Sequence, residues 1–596
     1  MKKLWLAAIT TFLLPNMSFA AACADGANAA GCTIGTSNIT YTLTGDIEPA
    51  SGVVGIKFTT DADDNTINLT GDISTTGLQG HALYIFGADD NTINLTGDIS
   101  TTGGDSAIGL FFFLGNSNTI THIGNISTTA NTGHGLYFIT SNLNETTLTG
   151  NISTTALGAH GVYLIGTSDD NVITITGNIS TTGNSSHGLL FDNSDSNTIN
   201  LTGSLSATGT GAYAINMNST SVNNTVNLTL NQGDRLIGDI VNNGSGNTLN
   251  LTLNSGRAAS YIYTSSGSTD LTWNITDNSK PAIAGSAKSR GVADIDDEGN
   301  KLYQRLSQIN SSLTNQQRQT RQGYARGDYW IDSYYTDSER DTVLQEVNQH
   351  TRGITVGFNA SGDRDLAMDV IINYENSDAG YGLSEQTVDS DSLMVGLSFP
   401  ALMTAMDGSL AVKFLAGMSD NDRDLTVLNN TVSTGQETIT DSYDSTYVTA
   451  GASWLQSLYA TQRFHHNVLV GMDINHERIE GSTASAYYRL DDRDITQLVG
   501  QAQYGITIQG MNKQLQINGS IGLAHANIID GEKQHYTIDG TAVSYTADKS
   551  NTYTTASLGA TYRLNPQVYA YANVKQFDST DDIDGTTGNV GLVVSF

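Results

Sequence analysis

Apolar and polar positions repeat on two scales in the first half of this chain. Residues 64–76 read DNTINLTGDISTT, with Ile67, Leu69 and Ile73 set among polar residues, and residues 90–102 repeat the segment almost unchanged. Weaker copies end at Thr129, Thr155, Thr182 and Thr208. The glycine of the motif stands at Gly45, Gly71, Gly97, Gly124, Gly150, Gly177 and Gly203, a spacing of 26 or 27. A period of two inside this longer period predicts short strands within a repeated coil. No 3.6-residue period appears, and the Ser-Thr-Thr runs are poor helix formers. One coil cannot bury its own apolar face, so copies must stack. Stacking as a parallel β-helix brings equivalent residues about 4.8 Å apart. The column Asn65, Asn91, Asn118, Asn144, Asn171 and Asn197 precedes the glycines from Gly71 to Gly203 by six positions. It reads as an asparagine ladder, whose side chains bond the coils above and below and tolerate left-handed backbone at a corner.

The repeat decays after Gly203, but alternation persists at 224–230 and 247–253, and 271–275, which carries Trp273, reads as a closing strand. The solenoid is therefore expected over 21–278, with 222–278 as its stabilising end. Residues 279–326 hold a linker around Pro281 and Gly291, then a polar helix over 294–321 whose Leu302, Leu306, Ile309 and Leu313 share one side. From 327 to 596 the pattern becomes short alternating segments separated by turns. Twelve candidate strands begin near Tyr329, Thr351, Leu366, Ser392, Leu410, Tyr447, Asn467, Thr496, Gln514, Tyr553, Gln567 and Gly588. In the last of them Val590, Leu592, Val594 and the final Phe596 occupy every second position. An even-numbered closed barrel with strands of about 9–11 residues satisfies every backbone group within a bilayer. The second half is accordingly predicted to be a twelve-stranded antiparallel outer-membrane barrel.

Within each coil, one strand is apolar on both sides. Leu83, Leu110, Leu136, Val162 and Leu189 fall on one side; Tyr84, Phe111, Tyr137 and Tyr163 fall on the other. Successive strand residues face opposite ways, so one core takes only one set. The aromatic set is expected to form an outward column, a candidate contact surface. Burial under an intercoil loop is the alternative.

Charge and composition narrow the function. Only 14% of the 596 residues are charged, but 59 acidic side chains face 27 basic ones, and a net charge of −32 argues against nucleic acid as a partner. Gly is abundant at 62 and Pro scarce at 5, as suits long ladders. Lys2, Lys3, the apolar run 4–14 and a small-residue site ending at Ala20 predict a secretory signal over 1–20. Cys23 and Cys32 follow it and are expected to pair in an oxidising compartment; lipidation of Cys23 is the other reading. Gly104, Asp105 and Ser106 form a fragment of a serine-hydrolase motif, without the histidine and oxyanion donors that the chemistry needs. His81, His134, His160 and His187 share one register, with Ile108 in the remaining place, and are expected to stack rather than hold a metal. Acidic pairs at 63–64, 89–90 and 169–170 lack a calcium-binding repeat and read as a solvated ridge. No catalytic residue, metal or cofactor is expected.

Signal, β-solenoid, polar helix and twelve terminal strands ending in Phe596 together resemble the type V autotransporter family, over the whole chain. The resemblance implies that 294–321 crosses the barrel lumen, with the solenoid as a passenger on the cell surface. It implies too that the barrel-assembly machinery recognises the strand bearing Val590, Leu592, Val594 and Phe596. In plan the chain is similar to the self-associating autotransporter adhesins. The expected partners are outer-membrane lipid, the assembly machinery, and either a copy of itself on a neighbouring cell or a host surface. The alternatives are a passenger released as a soluble binding protein and a surface hydrolase. No linker cleavage signature matches.

Overall fold

The computed structural model describes residues 21–595 apart from 265–270, 278–282, 285–287, 293–297, 322–327, 342–345, 361–367, 383–384, 482–487, 511–513, 539–540 and 547–548. The expected signal over 1–20, Pro281, the strand start at Leu366 and the terminal Phe596 lie outside the described residues.

Alternation makes the first part an all-β solenoid. A coil consists of three short strands, as in Thr92–Thr96, Ile99–Thr102 and Leu110–Phe113. Each pairs in parallel with its counterpart one coil on: Ile93 with Ile120, Ile99 with Ile126, Leu110 with Leu136. The inward residues Ile93, Leu95, Ile99, Leu110 and Phe112 are buried in one core that continues through the stack. Burying one such side chain contributes about 1.5–3 kcal/mol, and only stacking buries it. The motif glycines from Gly71 to Gly203 have φ between +136° and +151°. A Cβ on Gly124 would lie 2.1 Å from the Gly97 carbonyl oxygen, so the coils approach here only through glycine. Cys23 and Cys32 form a disulfide at the first coil. Thr248–Asn254 and Thr272–Asp277 end the ten-stranded sheet, with Trp273 buried on the last layer of the core.

The helix Glu298–Arg321 follows. Twelve antiparallel strands then close a barrel, the first, Tyr329–Asp341, pairing with both Glu346–Asn359 and the last, Ile583–Val594. Leu302, Leu306 and Ile309 pack against Trp330, Ile371, Met394 and Tyr447 of the wall, so the helix runs inside the barrel. Ile331, Ile354, Val395, Phe414 and Leu558 point outward and are exposed, whereas Asp332, Thr355, Glu375 and Asn475 point inward and are buried. That inversion is what a bilayer demands of a barrel. Among the described residues no helix is long and apolar enough to cross a membrane; the strands cross instead.

Some strands run longer than their apolar pattern. Gly408–Leu428 and Gln436–Ala460 span 21 and 25 residues, and the second starts well before the expected Tyr447. Its outward residues Thr438, Thr440, Ser442 and Asp444 are polar and exposed. This portion of the hairpin stands above the apolar band, where alternation of apolar residues no longer marks a strand.

Candidate functional site

Side-chain ladders hold the coils in register. The backbone N–H of Asn65 donates to Asn91 Oδ1 at 2.9 Å, that of Asn91 to Asn118 at 3.0 Å, and the series continues through Asn144, Asn171 and Asn197. It extends to Asn224 and Asn247, where the spacing shortens to 23 and the repeat is no longer obvious in the sequence. The left-handed corner residue is the one before each asparagine, such as Asp64, Asp90, Ser117 and Leu143, and not the asparagine as expected. The reason is geometric: the asparagine side chain turns inward to meet its neighbour while the preceding residue makes the bend. The acidic ridge is a ladder as well. Asp63 Oδ1 accepts the amide of Asp89, Asp89 that of Asn116, and Asp169 that of Asp195. The carboxylate oxygens there bond backbone.

The side Leu83, Leu110, Leu136, Val162 and Leu189 belongs to the core. Tyr84, Phe111, Tyr137 and Tyr163 face away from it and stack at 4.8, 5.2 and 5.0 Å. Yet Tyr84 and Phe111 are only 3% and 2% exposed. The His81 ring packs against both, and Phe86 and Phe113 flank them. Tyr137 and Tyr163 remain partly exposed, so the open part of the candidate contact column is shorter than the sequence suggests. Alongside it run the histidines. His134, His160 and His187 stack with ring centroids 4.9 Å apart.

One buried histidine is out of place. His122 sits inside the core at the register of Leu95 and Leu148, and neither ring nitrogen has a hydrogen-bond partner. Burial lowers its pKa, which keeps the ring neutral but does not satisfy it. His122→Leu should therefore stabilise the solenoid by about 1–3 kcal/mol. Chemical denaturation of the two proteins checks this, and a destabilised variant would contradict it.

Inside the barrel the polar face of the helix is bound to the wall. Arg305 lies 3.6 Å from Glu375 and 3.4 Å from Glu477, and Arg318 donates to Gln503 at 2.6 Å. Asn310 donates to Asp473 at 2.8 Å, an acid that also pairs with Lys413 at 2.8 Å. Gln308 reaches Thr587, and Ser312 reaches Asp332. The helix thus fills the lumen as a bonded plug.

The solenoid also meets the barrel outside the lumen. Ala258 and Ala259 pair in parallel with Val427 and Leu428, and Leu428 is buried in the solenoid core. Asn430, at the tip of this hairpin, makes four hydrogen bonds to backbone. Its side chain donates to the carbonyls of Gly238 and Ile262 and accepts the Ile262 amide, while its own carbonyl accepts the Gly238 amide. Arg257 adds contacts to Gln436 and Glu385. No local sequence signal marks these residues, because the partners lie far apart in the chain.

Residues 329–575 match the family described as the autotransporter beta-domain. Among solved structures, the translocator domain of the autotransporter NalP from Neisseria meningitidis is similar at 16% identity, covering 50% of this chain and 96% of that one with a TM-score of 0.39. The transport unit of the autotransporter AIDA-I from Escherichia coli is similar at 9% identity, with coverages of 48% and 98% and a TM-score of 0.35. The β domain of the Bordetella autotransporter BrkA gives 11%, 45%, 99% and 0.33 in the same order. A search of curated proteins finds no match. Residues 329–575, which span most of the twelve-stranded barrel, are thus an autotransporter β-domain, the class of barrel that sits in the outer membrane.

Proposed function

We propose that the solenoid is an adhesive passenger, carried to the cell surface by the barrel and held there, which acts by binding and not by catalysis. The observation that carries this reading is the aromatic strip outside the core. Tyr137 and Tyr163 stack 5.0 Å apart and stay partly exposed, and tyrosine gives large contact area at small entropic cost. The partner in this reading is a second copy on a neighbouring cell or a host surface. The barrel meets outer-membrane lipid through its exposed apolar residues. The barrel-assembly machinery inserts it, reading the strand with Val590, Leu592, Val594 and Phe596. The contacts of Asn430 and Arg257 favour a passenger kept on the cell over a released binding protein.

Cells displaying the chain are expected to aggregate, and more so as salt screens the acidic surface, the Debye length being about 8 Å near physiological ionic strength. Tyr137→Ser combined with Tyr163→Ser should slow settling several-fold and leave the melting temperature unchanged. Settling as fast as wild type, or a variant that melts early, removes the contact role of this column. Blotting medium against outer membranes separates retention from release; a passenger found mainly in the medium contradicts retention.

A further inference from the structure

Several ladders tie each coil to the next by one kind of bond, a side-chain atom accepting the backbone N–H of the following coil. In most of them the acceptor is a carboxyl or amide oxygen: Asp46 Oδ1 accepts the Asp72 amide, Asp98 that of Asn125, Asn151 that of Asn178. One column uses imidazole for the same task. His81 Nδ1 accepts the Ile108 amide at 3.2 Å, His134 that of His160 at 3.0 Å, His160 that of His187 at 2.8 Å, and His187 that of Tyr213 at 3.0 Å. An accepting Nδ1 carries no proton, so each ring is neutral with its hydrogen on Nε2. Adding a proton turns the acceptor into a donor aimed at a donor, and one intercoil bond is lost per ring.

We propose that the column His81, His134, His160 and His187 is an acid-operated latch, holding the middle coils closed at neutral pH and releasing them together as the surroundings acidify. The rings have no room to charge in place. They are 1–9% exposed, and His134, His160 and His187 are near-parallel at 4.9 Å, so a second cation would form against the first. Ile108 interrupts the column after His81, which makes the run of three the cooperative part.

The groups around the column give a charged ring little compensation. Lys57 faces His81 and repels a proton there. Tyr84, Tyr137, Tyr163 and Tyr213 present rings. Asp192 is the carboxylate on this side and acts on Tyr137 and Tyr163, and the side-chain amide of Asn216 lies 3.4 Å from His187 Nε2. Burial accordingly pushes His81 and His134 down to about 3 and His187 to about 4. His160, also flanked by two histidines, falls to about 2. The unfolded chain takes up these protons near pH 6.5, and the folded column refuses them. The stability they contribute is complete above about pH 6.5 and is lost as pH falls from there toward the folded values. Because His134 and His160 pack under Tyr137 and Tyr163 at 4.6 and 5.0 Å, release would also disorder the proposed contact face. That consequence rests on the adhesive reading; the release itself does not.

Hydrogen exchange of the whole chain in detergent, expressed as protection relative to intrinsic rates at each pH, tests the latch. Between pH 6.5 and 5, protection in Leu136–Ile139, Val162–Ile165 and Leu189–Asp192 should fall by about 100-fold or more per pH unit, two or more protons entering on opening. Thr248–Asn254 in the same molecule should change far less. The triple variant His134→Asn, His160→Asn, His187→Asn supplies an oxygen acceptor that does not titrate, and should keep its protection at pH 5. A wild-type slope below two protons overturns the latch, as does equal loss in the variant. The wild-type slope decides alone if the variant does not fold. Cells that never aggregate while the slope stands would sink adhesion and leave the latch intact.

Discussion

Gly124→Ala is expected to break the solenoid in the middle. The new Cβ would lie 2.1 Å from the Gly97 carbonyl oxygen, at a φ of +148° that alanine avoids. Neither coil can yield without losing its own ladders, because the asparagine and acidic ladders pass through both. Strain at such a backbone position costs about 1–3 kcal/mol before the clash is counted, so a total near 3 kcal/mol or more is expected. For a domain of this size that lowers the melting midpoint by about 6–12 °C. Gly103→Ala is the control: its φ is +68°, but nothing lies within 4 Å of the added carbon, and it should cost only the smaller backbone term. Circular dichroism melts of the two variants decide the matter. Equal shifts would mean that the glycine column serves backbone conformation alone and that the close approach of coils is not what demands it.

Arg305→Met should unplug the barrel. The guanidinium lies between Glu375 and Glu477, which are also held by Tyr334 at 2.7 Å and Ser445 at 2.9 Å. Removing the cation leaves two buried carboxylates facing the helix, and breaking a buried pair from one side typically costs about 3–5 kcal/mol. The helix then keeps its apolar stripe against Trp330 and Met394 but no longer offsets the two desolvated carboxylates. Conductance of the purified protein in a planar bilayer should rise from nearly closed to a persistent open level. Adding Glu375→Gln and Glu477→Gln removes the stranded charges and should restore the closed level. Conductance unchanged by Arg305→Met would show that the apolar stripe and the remaining polar contacts hold the plug without this ion pair.

Much of this architecture is legible because repetition makes it so. The apolar positions of Ile67, Leu69 and Ile73 recur with Gly71 in most copies, and a residue recurring at the coil period has to occupy a column. The helix in the lumen is legible from Leu302, Leu306 and Ile309, since one side of a helix suffices to dock it. Features that depend on contact are not. Tyr84 and Phe111 read as exposed because sequence shows which way a side chain points and not what lies over it; His81 and the neighbouring phenylalanines cover them. The histidine register was visible, but its use of Nδ1 as an amide acceptor is a matter of ring orientation. Asn430 could not be found at all, since one asparagine in a polar loop has no period.

The hairpin that carries Asn430 also covers one exposed edge at the end of the rod. A stack of parallel strands ends in a row of unpaired amides and carbonyls, which is a template for adding another chain end to end. Here Val427 and Leu428 occupy part of that row, Leu428 fills the core beneath it, and Asn430 takes up the backbone groups of Gly238 and Ile262. That edge of the rod is thereby closed to end-to-end addition of another chain, so if copies of the rod associate as proposed, their flanks are the surfaces left to do it.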